Sequence, residues 1–375
     1  MKTVKYKGKL KEIKIGGYKS ISSAHPVSVQ LGDINILLGA NGSGKSNVIS
    51  FFKMLNFMTS GNFQLFVERA GTSQVFLHYG AKHTDVITGH LNFETETNID
   101  RYKFELTHAT PDRLIIKSEE VEWEEKGESK TLPLECDFKE SALTKITDNK
   151  TIHIIREALA GCRVYQFHDS SNESPLRQSS PAGICRYLQT GGNNLASFLH
   201  YIKGNHCSNY NRIVSYINFI MPQFKDFYLE PNEKGYVSLK WVDIFPNDYV
   251  LLPEQFSDGT IRFIALATLL LQPEETIPGV IIIDEPELGL HPFAIGQLAE
   301  MIKEAAKHTQ IIVATQSPGL IDEFEANQIT VMEAKNGYST ANRLNEEELK
   351  YWLENYSLSE CPHFKEWIDK LERLP

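Results

Sequence analysis

The chain predicts an α/β fold, and three stretches carry that prediction. "INILLGANGSGKSNVISFFKMLNFM", residues 34–58, passes from a short apolar run through glycines into a longer apolar run. "GVIIIDEPELGLHP", residues 279–292, sets four β-branched residues in front of two acids. "TQIIVATQS", residues 309–317, is a third β-branched run that ends in polar groups. Apolar runs of this length fit strands buried on both faces, as in parallel sheets covered by helices.

The first stretch matches G-x-x-x-x-G-K-[ST] at every fixed position, over Gly39, Ala40, Asn41, Gly42, Ser43, Gly44, Lys45 and Ser46. It follows a predicted strand at 34–38. A predicted buried helix follows it, with Asn47 in the first turn. Strand, glycine loop and helix are the context this motif needs. Backbone N–H groups of such a loop cradle a β-phosphate. Lys45 then reaches the β- and γ-phosphates, and the Ser46 hydroxyl ligates Mg²⁺. A chance glycine-rich turn would not need both flanks.

In the second stretch Asp284 falls at the carboxyl end of its strand, where open α/β sheets bind ligands. An aspartate there holds Mg²⁺, directly or through water. Glu285 is placed to polarise an attacking water. Two solvated acids ending a strand are the plainer alternative, and the phosphate loop weighs against it. The third run ends in Thr315, Gln316 and Ser317. Three strands ending at one place describe a single nucleotide site.

"EQFSDGTIRFIALATLLL", residues 254–271, reads as a loop entering a helix. Ser257 can cap it, and Gly259 allows a close backbone approach. Such a helix start attracts anions, so the chain carries two phosphate-binding elements far apart in sequence.

Between these blocks the chain first looks β-rich. "SQVFLHYG", "DVITGHLNFETET", "RYKFELTHA" and "RLIIKSEEVEWEE" alternate and are broken by turn residues. Residues 140–162 read as helix and "RVYQFHD" as a short strand. Residues 183–221 are helical again, interrupted by "TGGNN" and "KGNHC", and strand-like pieces follow at "FKDFYLE" and "GYVSLKWVDI". No heptads persist, so no long coiled coil is expected.

The 375 residues, 41% hydrophobic, suffice for one large or two ordinary domains. A net charge of −10 disfavours nonspecific wrapping of nucleic acid. Five cysteines (Cys136, Cys162, Cys185, Cys207, Cys361) form no C-x-x-C pair and point to neither zinc nor disulfides, as in a reducing cytosol. No membrane span and no signal peptide are expected, so the predicted location is cytoplasmic. Lys2, Lys5, Lys7, Lys9, Lys11, Lys14 and Lys19 crowd the start. They read as the solvated face of a first strand or as a contact for DNA or an acidic partner.

Phosphate loop, large insertion, Ser-Gly helix start, D-E-P and polar switch, in that order, resemble an ABC-type ATPase head. The branch is the RecF and SMC-like one, with the AAA_21-type predicted ATPases, rather than a membrane transporter. The resemblance implies a mixed sheet, a β-rich lobe and a helical insertion. It gives a discontinuous ATP-binding core at 1–60 and 255–340. A β-rich lobe with a helix follows at 61–170, a helical insertion at 171–254 and a helical tail at 341–375. ATP and Mg²⁺ are the implied cofactors.

In the family, "SDGT" is the signature motif, so Ser257, Asp258, Gly259 and Thr260 would bind the γ-phosphate of ATP held by a second subunit. Two heads would then close face to face around ATP, alone or within a larger assembly. "ELGLHP", residues 287–292, is similar to the D-loop that crosses this interface. "GYKSI", residues 17–21, is similar to the stretch near adenine and the α-phosphate, with Lys19 and Ser20 as contacts. Gln166 is the candidate for the family's Q-loop glutamine on the Mg²⁺ side, against an exposed strand residue. Two positions depart from the transporter pattern. Asp258 is acidic near a phosphate, a variant common in standalone SMC-like ATPases. Gln316 stands where a histidine is usual. Its amide can hydrogen-bond a phosphate but cannot titrate, which implies slow hydrolysis.

A narrower resemblance is to standalone ATPases of bacteria and archaea ending in W-L-E-x-Y-S-L, here "WLENYSLSE" at 352–360. Many sit in anti-phage defence systems beside an effector, often a Toprim-type nuclease. About forty residues follow the last core strand, too few for a fused nuclease domain, so the effector is expected on a separate chain. The leading expectation is therefore an Mg²⁺-dependent ATPase that regulates such an effector. The alternatives are a RecF-like repair ATPase that clamps DNA, and an ATP-bound scaffold with negligible turnover.

Overall fold

The structure, a computed structural model, describes residues 9–95, 99–125, 128–135, 137–146, 149–183, 187–245, 249–345 and 357–359. The chain divides into two compact units. The first comprises residues 1–164, 279–282 and 325–375, the second residues 165–278 and 283–324.

The first unit opens with β1 (Lys9–Gly16), β2 (Val27–Gln30), β3 (Ile34–Leu38), α1 (Lys45–Thr59) and α2 (Phe63–Arg69). It continues with β4 (Val86–Glu94), β5 (Ile99–Ala109), β6 (Arg113–Glu125), β7 (Glu128–Pro133), α3 (Lys150–Ala160) and β8 (Cys162–Tyr165). An antiparallel sheet of order β2-β1-β4-β5-β6-β7 forms one face of it. Alternation puts Leu91, Phe93, Tyr102, Phe104 and Leu106 in the core. α1 lies on that sheet. A Cβ at Gly89 would come within 2.3 Å of Phe104 and 2.9 Å of Phe51, so only glycine lets β4 pass beneath Phe51. The helix is buried nearly all round (Val48, Ile49, Phe51, Phe52, Met54, Leu55, Met58), which is why its apolar residues run on almost without a break.

The second unit holds β9 (Ser180–Pro181), α4 (Leu195–Asn205), α5 (Cys207–Ile220), β10 (Phe224–Tyr228), β11 (Tyr236–Val237), β12 (Lys240–Asp243), β13 (Val250–Leu251) and α6 (Asp258–Leu270). β14 (Val280–Asp284) begins in the first unit and ends in the second. α7 (Pro292–Ala305), β15 (Gln310–Thr315) and α8 (Pro318–Ile321) follow. α6 packs against α4, α5 and α7. From Ile261 to Leu270 only Arg262 escapes burial. Each fully buried Ile, Leu or Phe of such a helix contributes about 1.5–3 kcal/mol, so packing rather than propensity holds it. The chain returns to the first unit with β16 (Ile329–Lys335) and β17 (Tyr338–Arg343). β16 pairs in parallel with β3 and antiparallel with β17.

The buried strands 34–38 and 280–284 and the helices at 45–59 and 258–270 lie where the sequence places them. Three stretches differ, and residues 128–133 form a strand that the sequence pattern does not signal. Residues 73–76 form a 3₁₀ turn and not a strand, because Thr72 accepts the Gln74 N–H and Asp112 the Ser73 N–H. Residues 140–162 hold a short 3₁₀ turn at Ala142–Thr144 and a separate α3, capped by Asn149 accepting from Ile152 N–H. In 183–221 the helices begin at Leu195, since Asn194 accepts the Gln189 N–H and folds residues 187–194 into turns. β7 has no hydrophobic alternation because it is an exposed edge.

The lysine-rich start lies partly outside the described residues. Of the rest, Lys9 pairs with Asp33, and Lys11 with Glu94 at 2.7 Å. The tail motif at 352–360 also lies outside them, save 357–359. Among the described residues the longest helix has 15 residues, so no long coiled coil is present. Among them, no helix is long and apolar enough to cross a membrane.

Candidate functional site

The glycine loop at residues 39–46 belongs to the first unit. β3 is buried throughout, and its parallel pairing with β16 sets Leu38 opposite Val331. The loop therefore starts against β16. A Cβ at Gly39 would meet Met332 O and Ser43 Oγ, each at 2.5 Å. Gly42 and Gly44 adopt φ of 79° and 105°, and a Cβ at Gly44 would come within 2.2 Å of Ser339 Oγ. Any side chain at Gly39 or Gly44 would disturb the loop. α1 starts on Gly44 with no side-chain cap, leaving its first N–H groups directed at the loop.

Lys45 is 4% exposed. Its Nζ donates to Gly39 O, and to Ala40 O at 3.1 Å. Ser43 Oγ is buried without a hydrogen-bond partner, and Ser46 is exposed. Asn47 Nδ2 donates to Ser20 Oγ at 2.6 Å, and Ser20 Oγ shares a 2.6 Å bond with Ser339 Oγ. Lys19, at φ 52°, donates to Ser50 Oγ at 2.7 Å. Burial first, and Lys53 second, pull its ammonium below the usual lysine range. The fold thus brings Ser20 to the start of α1, and Lys19 one turn further along it.

The carboxylates lie in the second unit, at the end of β14. Asp284 is 8% exposed. Gln166 Nε2 donates to its Oδ2 at 2.9 Å, and His168 Nε2 stands 3.7 Å from the same oxygen. The Asp284 carboxylate beside it holds the His168 imidazole above its usual range against the opposing effect of burial. Glu285 takes φ 44°, uncommon for a residue with a Cβ, and donates its N–H to Ala314 O at 2.8 Å. Its side chain joins Asp284, His168 and Arg262 around a small cleft.

Glu287 reaches back to the end of β15. Its Oε1 accepts from Thr315 Oγ1 at 2.6 Å and from the Gln316 N–H at 3.3 Å, while Oε2 is buried without a partner. Burial pushes this carboxyl above the usual range. Gln316 is half-buried.

The start of α6 belongs to the same unit. Ser257 caps it, accepting from Thr260 N at 3.2 Å and sharing a 2.7 Å bond with Thr260 Oγ1. Asp258, the first helical residue, is exposed. A Cβ at Gly259 would come within 2.4 Å of Gly289 O, so glycine lets the helix start touch the turn after β14. Arg262, one turn on, donates to Leu288 O at 2.8 Å and to His168 O.

His168, Arg177, Arg262 and the buried role of Glu287 escape the sequence reading. Only Arg262 left a signal: it is the one charged side chain inside an otherwise apolar helix. Among the described residues no group of three or more His, Cys, Asp or Glu is arranged to hold a metal.

The family described as "AAA domain, putative AbiEii toxin, Type IV TA system" matches residues 34–322. No curated protein matches the chain. Among solved structures, an SMC head bound to the C-winged helix domain of ScpA aligns at TM-score 0.60 and 16% identity, over 91% of this chain and 99% of that one. An SMC head with an extended coiled coil, bound to the C-terminal domain of ScpA derived from Pyrococcus furiosus, aligns at TM-score 0.57 and 16% identity, over 92% and 99%. The SMC head domain from Thermotoga maritima aligns at TM-score 0.52 and 16% identity, over 90% and 99%. At these identities the likeness is one of fold, that of an SMC head.

Proposed function

The chain belongs to the AAA_21 family of AAA domains, and from that premise we propose that it is an Mg²⁺-dependent ATP hydrolase. The observation that carries the proposal is the loop at residues 39–46. Gly39 and Gly44 occupy places a Cβ would block, Ser43 Oγ has no protein partner, and α1 begins uncapped above it. These features suit a bound phosphate chain. The carboxylate of Asp284, steadied by Gln166, suits a hard divalent cation.

In this reading Lys45 leaves the carbonyls of Gly39 and Ala40 to neutralise phosphate charge, and residues 39–47 supply backbone donors. Ser46, Asp284 and Gln166 hold Mg²⁺, which when bound screens the phosphates. Glu285 accepts the proton of the attacking water. Gln316, with its backbone N–H on Glu287, orients that water or the phosphate without titrating. Lys19 and Ser20 fix the start of α1 on the nucleotide side.

We further propose that two copies engage head to head, with Ser257, Asp258, Gly259 and Thr260 of one copy serving the nucleotide of the other. A helix start with a serine cap and a glycine in close approach supports that role. The family's description names a putative AbiEii toxin of a type IV toxin–antitoxin system, and we propose that this chain regulates a separately encoded effector in phage defence. A Toprim-type nuclease fits the residues that resemble standalone defence ATPases. SMC heads solved with a ScpA domain bound show the kind of partner contact such a fold supports.

The test is Mg²⁺-ATP turnover by the purified chain, with and without duplex DNA. Turnover that vanishes in Lys45→Ala and Glu285→Gln supports the hydrolase. Absence of turnover in the unaltered chain, with ATP bound, would leave only a scaffold. Turnover that appears only with DNA would favour the DNA-clamping reading.

A further inference from the structure

We infer that Arg177 is a positioning residue for the start of α6: it holds residues 253–258 in place and offsets the Asp258 carboxylate, so that this helix start can receive an anion. The inference rests on reading residues 257–260 as a signature motif.

The departure from the transporter pattern poses the problem. A carboxylate at the first position of a helix stabilises the helix, but it competes with any second anion for the same N–H groups. Asp258 is such a carboxylate, and its side chain is 67% exposed, so it borders any ligand there. Something must offset its charge if an anion is to bind.

Arg177 ends the 3₁₀ turn Pro175–Arg177 and is 6% exposed. Its Nε donates to Ser170 O at 3.1 Å. Nη1 donates to Pro253 O. Nη2 donates to Phe256 O and to Asp258 Oδ1, both at 3.1 Å. One buried guanidinium therefore spans the 3₁₀ turn that leads to Ser257, the residue before the cap, and the acid after it. Phe256 is held on its other side by Trp241, stacked at 5.2 Å. A planar fork with fixed donors can serve these acceptors together, and a lysine ammonium cannot. A buried arginine of purely structural use would need only the three carbonyls. The bond to an exposed acid beside the cap is what ties it to the anion site.

The experiment measures self-association by light scattering with Mg²⁺ and a non-hydrolysable ATP analogue. Five chains are compared: unaltered, Ser257→Arg, Asp258→Asn, Arg177→Met and Arg177→Met with Asp258→Asn. Asp258→Asn sets the level with which the double variant is compared. Arg177→Met should associate at least tenfold more weakly than the unaltered chain, and adding Asp258→Asn should recover most of that loss. Analogue binding to the monomer should stay within about twofold throughout. If Arg177→Met does not fold, Arg177→Lys replaces it, with the same loss and the same recovery expected. Normal association by the Arg177 variant while Ser257→Arg fails to associate overturns the inference. So does a loss that Asp258→Asn does not relieve, which marks Arg177 as structural only. Normal association by Ser257→Arg rejects the signature reading itself, and the inference with it.

Discussion

At the scale of single residues, Glu285 and Glu287 show how two acids within three positions of a strand end can take different work. Glu285 sits at positive φ with its N–H on Ala314 O. Such backbone costs on the order of 1–3 kcal/mol and persists where surroundings enforce it. Glu285→Gln is expected to keep ATP binding and to lower turnover at least 100-fold, the lower end of what a positioned base contributes. Unchanged turnover would reject Glu285 as the base. Lys45→Ala should lose nucleotide affinity instead, read by titration with a fluorescent ATP analogue. Glu287 offers a test by pH. Its folded carboxyl is held above the usual range by burial. The folded state thus keeps a proton that the unfolded state releases first. The resulting destabilisation is absent below the ordinary glutamate range and grows as pH rises through the folded value. Glu287→Gln keeps an acceptor for Thr315 and Gln316 and removes the charge. Its thermal midpoint should exceed that of the unaltered chain at pH 8 and match it near pH 4. Equal differences at both pH values would show that the charge is not the cause.

At the scale of elements, two helix starts share one logic. α1 opens on Gly44 with no side-chain cap, and α6 opens on Ser257 with its oxygen on the Thr260 N–H. Ser257→Ala should cost about 1 kcal/mol of stability, the usual worth of such a cap. Ser257→Arg should leave monomer ATP binding intact and block engagement of two copies. Mixing it with Lys45→Ala is the sharper measurement. One chain brings a good loop and the other a good signature, so a mixture should regain one working site of two. Heterodimers that form yet hydrolyse nothing would reject a site shared between copies. Strand–loop–helix at 34–59 was legible because a buried run, three glycines and a buried helix are all local signals. The turn at 73–76 was not, because its alternation suits a strand, and only the carboxylate of Asp112, brought in from 39 residues away, takes the Ser73 N–H.

At the scale of the whole molecule, an ATPase that acts through a separate effector, as proposed above, needs a surface for that effector to read. Residues 345–375 are the candidate surface, and all but 345 and 357–359 lie outside the described residues. Deleting them should weaken co-purification with an effector from the native host more than it lowers ATP turnover. If the native protein purifies without a partner and protects cells from phage when expressed alone, the effector proposal should be dropped for a self-sufficient ATPase.

The sequence alone determined the α/β class and the position of the loop, because strand and helix periods and glycine placement act over a few residues. Tertiary structure alone decided which polar groups meet. Gln166 reaches Asp284 across 118 positions, and Arg177 reaches Asp258 across 81. No local propensity encodes such pairs. They form where the chain path brings a donor and an acceptor together in a place with little water, and an unpaired buried charge there would be too costly to keep.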